Sequence, residues 1–121
     1  MKTKMRYEEP KIDWIIRAIS EEEERCDPEC VIDYVSCGFE SYGFGGEVLV
    51  VGKVKDSEKI AKFINTFCRL LIKGEKFSPE GIHYIDDING HTQFVFHIFE
   101  YKTSNHLIPH PKVKYQLIPQ F

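Results

Sequence analysis

The run from Asp56 to Gly74 constrains the fold more than any other part of the chain. Ile60, Phe63, Ile64, Phe67, Leu70 and Leu71 recur at helical spacing and make one wide apolar stripe. Asp56 is a helix-capping residue type, Ser57 and Glu58 suit a first turn, and Gly74 suits the stop. A helix with a stripe this wide has to lie against an apolar surface, and the flanking segments offer one made of strands.

Before the helix, "CVIDYVSCGF" and "EVLVVGKV" are rich in β-branched and aromatic residues and read as strands. Val48, Leu49, Val50 and Val51 are apolar in succession, so both faces of the second strand are expected to be covered. After the helix, "GIHYIDDINGHTQFVFHIFEYK" reads as a hairpin. Asn89-Gly90 is the dipeptide favoured in two-residue turns, and the second arm runs from Thr92 to Tyr101. Near the end, Val113, Tyr115 and Leu117 alternate with Lys112, Lys114 and Gln116, as in a half-exposed or edge strand.

A second helix is expected earlier. Pro10 suits a first turn, and Ile12, Ile15, Ile16 and Ile19 fall on one helical stripe. It would run into the acidic residues Glu21 to Glu24 and break at Pro28. The element order is then α-β-β-α-β-β with a further strand to close. That implies an α+β two-layer sandwich, with two helices on one face of a mainly antiparallel sheet of four to five strands. A circularly permuted ferredoxin-like fold has this order, an analogy of fold that carries no function. One domain over residues 1–121 is expected, with residues 1–9 frayed and 103–121 an extended C-terminal arm or edge strand.

The bulk numbers narrow the classes of function. With 42% hydrophobic and 29% charged residues, the chain can build a core without staples. A net charge of -3 supplies no general field for nucleic acid or anionic lipid. No apolar run approaches the roughly 20 residues of a bilayer span. The basic start is not followed by the apolar region of a secretion signal. A cytoplasmic setting follows, with Cys26, Cys30, Cys37 and Cys68 as reduced thiols.

The glycine-rich "ESYGFGGEVLVV" is the one stretch that invites a ligand. A phosphate loop needs a helix N-terminus after it, and here a strand follows. Neither a P-loop nor a dinucleotide fingerprint is present. The stretch reads as the turn between two strands, with Tyr42 and Phe44 at its tip either folding over the core edge or standing out as anchors for a partner.

The remaining constellations are sparse. Cys26-x3-Cys30 and His106-x3-His110 have zinc-ligand residue types, with Cys37 and His91 as further candidates. His97 lies on a strand face with Val95 and Phe99, Asp86 and Asp87 precede the hairpin turn, and Asp33, Ser36, Cys37 and His83 have nucleophile, base and acid chemistry without a motif to order them. The second helix carries Lys59, Lys62, Arg69 and Lys73 away from its apolar stripe, with Lys53, Lys55 and Lys76 near its ends. The function this implies is a small cytosolic protein that acts by binding another protein or itself, through the basic helix face or through the open sheet edge and tail. No cofactor motif appears. The alternatives are a zinc-binding protein using Cys26, Cys30, His106 and His110, and a small enzyme with a pocket near His97 and the glycine turn.

Overall fold

A computed structural model describes residues 14–19, 27–78, 81–87, 90, 92–102 and 110–121. In chain order these form strands β1 (Ile15–Ile19), β2 (Val31–Cys37) and β3 (Glu47–Lys53), helix α1 (Ser57–Ile72), then strands β4 (Ile82–Asp86), β5 (Gln93–Glu100) and β6 (Val113–Gln120). The strands make one six-stranded mixed sheet in the order β1-β2-β3-β6-β5-β4. β3 and β6 run parallel, and every other neighbouring pair is antiparallel.

This corrects the sandwich of two helices on four to five strands, and the permuted ferredoxin-like analogy with it. Where the first helix was expected, Ile15–Ile19 is an edge strand paired with Asp33 to Cys37. Its isoleucines satisfy both periods over so short a run, and the strand period places Trp14 and Ile16 in the core. Trp14 fixes the choice: its Nε1–H donates to Asn65 Oδ1 of α1 at 2.8 Å. Pro10, Ile12 and the run Glu21 to Glu24 lie outside the described residues. The last strand is not at an edge but lies between β3 and β5. Its alternating polarity reflects a sheet covered on one face, not an edge position.

The helix forms where its stripe predicts. Ile60, Phe63, Ile64 and Phe67 are enclosed against Tyr34, Val48, Val50, Phe94, Phe96, Ile98 and Leu117. Phe63 and Phe96 meet edge to face with ring centroids 5.1 Å apart. Burying each of these side chains contributes about 1.5–3 kcal/mol, so the helix is held by the sheet and not by its own propensity. Gly52 lets the helix come this close, since a Cβ there would lie 2.5 Å from Ile60 Cδ1. Asp56 occupies the N-cap position, but its side chain makes no cap hydrogen bond. At the other end the Glu75 N–H bonds the Leu70 carbonyl across Gly74, as a helix stop should.

The glycine stretch joins β2 to β3, its antiparallel neighbour, through a 3-10 turn over Phe39–Tyr42. Glu47 closes this connection. Its buried carboxylate accepts from Ser36 Oγ at 2.8 Å and from the Gly38 and Phe39 N–H groups at 3.0 Å each. Donors that the loop would otherwise bury unpaired are thereby satisfied. A Cβ at Gly46 would lie 2.6 Å from the Lys112 carbonyl oxygen, where β3 meets β6.

Candidate functional site

α1 covers one face of the sheet. Alternation along the strands sends every second side chain to the other face. On β5 those side chains are Val95, His97 and Phe99, and on β4 they are Ile82, Tyr84 and Asp86. In register, His97 lies between Ile82 of β4 and Ile118 of β6. Val51 of β3 adjoins Ile118, one step beyond the Val50–Leu117 pair. Phe99 stands beside His97 with ring centroids 6.2 Å apart. Ile82, Tyr84, Phe99 and Ile118 keep between 43% and 61% of their surface exposed. One bare apolar patch therefore spans β6, β5 and β4, with the half-buried His97 at its centre.

The same face is covered at one end of β2 and β3. There Val35 and Leu49 are buried together with Tyr101 and Val113, which flank the connection between β5 and β6. His110 pins this connection. Its Nε2 lies 2.9 Å from Asp33 Oδ2, and since a carboxylate only accepts, Nε2–H is the donor. The His110 backbone N–H donates to the Tyr101 hydroxyl at 3.0 Å, and the Tyr101 N–H donates to the Lys114 carbonyl at 2.9 Å. The open face thus has a strapped half and a bare half.

The residues singled out from sequence are distributed as follows. On α1, Lys59 lies over the Phe121 ring at 5.9 Å, and Lys62 Nζ is 3.6 Å from the buried Asp87 carboxylate. Thr66, between them and Arg69, is buried and bonds back to the Lys62 carbonyl. Arg69 is half-buried, with its Nε enclosed and without a hydrogen bond among the described residues. Lys73 is exposed. The basic stripe thus flanks the core on the β4 side and is partly engaged by it. Tyr42 and Phe44 stack on the buried Phe39, with centroids at 5.9 and 5.3 Å. Tyr42 also meets Trp14 edge to face.

For the zinc candidates, Cys26, His91 and His106 lie outside the described residues, and His110 spends Nε2 on Asp33. Among the described residues no group of three or more metal-ligating side chains converges. Asp33, Ser36, Cys37 and His83 do not converge either. Ser36 is buried on Glu47, and His83 packs against Phe77 and Phe96 on the helix side, 2.6 Å from the Ser78 carbonyl. Asp33 finds His110 instead, 77 positions away in the chain, which local sequence could not reveal. A cleft of about 420 Å³ separates the strap from β1 and β2, with Arg17, Cys37 and His110 in its walls. A second, of about 290 Å³, lies under the end of α1 between Phe44, Phe67, Phe77 and Tyr115.

Three groups among the described residues titrate away from their ordinary values, one of them Lys55, which its hydrogen bond to Glu29 raises. Burial pushes the Cys68 thiol well up, helped by the nearby Glu47 charge, so it is an inert core thiol. Hydrogen bonds from Lys53 and then Lys55 hold the exposed Glu29 carboxyl down to about 2. No described helix is long and apolar enough to cross a membrane. Compared with known proteins, the chain matches no family model, no curated protein and no solved structure.

Proposed function

We propose that this is a protein-binding module whose docking surface is the bare half of the open sheet face. The observation that carries this is the cluster of Ile82, Tyr84, Phe99 and Ile118 around His97, all large and about half exposed. Folded chains rarely leave such side chains contiguous on a flat surface without something to cover them. Elsewhere on this face Tyr101 and Val113, at the two ends of the β5–β6 connection, cover Val35 and Leu49. Aromatic anchors beside branched aliphatic residues are the composition of an interface centre, with charges kept to the rim. The Cys37 and Cys68 thiols suit a reducing, cytoplasmic setting.

The test is partner capture on the immobilised chain, comparing wild type with the double variant Phe99→Asp, Ile118→Asp and with charge reversal at Lys62, Arg69 and Lys73. Capture by wild type and by the helix variant, with loss in the face variant at an unchanged melting temperature, is the expected result. Loss only on reversing the helix charges would move the site to α1.

A further inference from the structure

Under the end of α1, on the helix side of the sheet, the aromatic core stops short and leaves a cleft. We infer that this cleft is a binding site for a small, flat, uncharged ring compound of about two fused rings. It lies on the opposite face of the sheet from the bare half, so it stands or falls independently of the docking surface. Three observations point to such a ligand.

The first is a gap between two sets of packed rings. On one side Phe44 stacks on Phe39, which in turn meets Trp14, with centroids 5.3 Å apart in each contact. On the other side Phe67 meets Phe77 at 5.2 Å and Phe96 at 5.8 Å. Phe44, Phe67 and Phe77 border the same cleft, yet among the described residues Phe44 meets no ring of the second set. The enclosed Phe67 and Ile98 make the floor, and the half-buried Phe44, Leu71, Phe77 and Tyr115 make the walls. Such walls offer ring faces and edges, which another ring meets better than a branched chain does.

The second is size, and the way the space arises. The cleft holds about 290 Å³. That is roughly twice the volume, about 150 Å³, of an apolar cavity that takes up benzene, so two fused rings suit it. α1 ends at Ile72, and the chain turns away at Gly74 with φ at +103°. Gly74 borders the cleft, and a Cβ built on it would meet nothing within 4 Å. The turn that stops the helix therefore adds no side chain to the cleft at that point.

The third is the balance of charge at the mouth. Glu75 and Lys76 follow one another at its edge. On the strand side Lys114 Nζ lies 5.6 Å over the Tyr115 ring, and Glu100 is the register partner of Tyr115. Positive and negative side chains thus alternate around an apolar interior. A ligand with a net charge meets no excess of the opposite sign there, and it loses hydration on entering. An uncharged ring loses none of this, and it takes its own apolar surface and that of the walls out of water.

The experiment is an NMR titration of the isotope-labelled full chain with indole. Indoleacetate and tryptamine carry a similar ring with one negative or one positive charge. Saturable shifts should gather on Leu71, Phe77, Ile98 and Tyr115, with a Kd on the order of 100 µM, which about ten non-hydrogen atoms reach at ordinary ligand efficiency. The two charged compounds should bind about fivefold more weakly or worse. Leu71→Trp puts a ring of the chain itself into the cleft and should abolish binding at an equal or higher melting temperature. Phe44→Ala takes away one half-buried wall and should weaken binding about tenfold, which decides the matter even where Leu71→Trp does not fold. Phe99→Asp, on the other face of the sheet, should leave binding unchanged. The absence of a saturable shift up to about 2 mM indole would overturn the site. So would binding that neither Leu71→Trp nor Phe44→Ala alters. Shifts that gather on Ile82 and Ile118 and vanish in Phe99→Asp would also overturn it, and would put the ring on the bare half. Equal or tighter binding of either charged compound would overturn the uncharged class of ligand.

Discussion

On β5 the two faces of one sheet can be compared three residues apart. Phe96 points under α1, where no part of it is exposed, and it meets the Phe63, Phe67 and Phe77 rings at 5.1 to 5.9 Å. Phe99 points to the other side, where about half of it is exposed and its one ring neighbour among the described residues is His97. The residue type, the strand and the backbone are the same, so the difference lies in what stands opposite. The helix turns one phenylalanine into folding energy. The bare face leaves the other available for association.

The largest effect that can break this comparison is truncation of each ring. Phe96→Ala should destabilise by about 3–5 kcal/mol, because it removes a buried ring and leaves a cavity among rings that cannot close over it. Phe99→Ala should change the stability of the isolated chain by about 0.5 kcal/mol or less, since little buried surface is lost. Urea denaturation of both variants decides it. Equal losses would mean that the open face is folded against something within the chain, and that Phe99 is core.

Those two phenylalanines also mark how far the sequence could be read. The helix, strands β2 to β5 and the link through the glycines follow from local period and turn chemistry, which need no knowledge of distant contacts. The first segment did not, because Ile15, Ile16 and Ile19 fit a helical stripe as well as a strand, and only pairing with β2 and the bond from Trp14 to Asn65 decide. The central place of β6 was equally hidden. Its partners β3 and β5 are chosen by topology, and its half-exposed pattern is the same at an edge or in a sheet covered on one face. For the candidate site, the sequence placed His97, Val95 and Phe99 on one face of a strand. It could not place Ile118 and Ile82 beside His97, because that is a matter of register between strands far apart in the chain.

Within the open face the strapped and bare halves form a second comparison, and the Asp33–His110 pair separates them. Removing either partner leaves a largely buried polar group without its hydrogen bond, which should cost about 1–3 kcal/mol. A double-mutant cycle with Asp33→Ala and His110→Ala should show a coupling of about 1 kcal/mol, since each group is the other's partner at 2.9 Å. The singles should also raise apolar-dye binding, as Val35 and Leu49 lose their cover. A coupling near zero would show that the apolar contacts of Tyr101 and Val113 hold the strap unaided.

The smallest effect concerns the corner where Lys53 meets the bare half. Glu29 there titrates at about 2 instead of 4.5, held down first by the hydrogen bond from Lys53 and then by that from Lys55. A carboxyl with a lowered folded value binds its proton less readily when folded than when unfolded. Its contribution to stability is therefore full above pH 4.5 and is lost as the pH falls through about 2. The group is fully exposed, so the contribution is small and screened by salt. Carbon-13 detected titration of Glu29 should give a midpoint well below that of an ordinary glutamate, and Lys53→Ala should move it back upward. An ordinary midpoint in wild type would mean that Lys53 is not held at Glu29 in solution. Its full charge would then stand at the rim of the bare half for another contact.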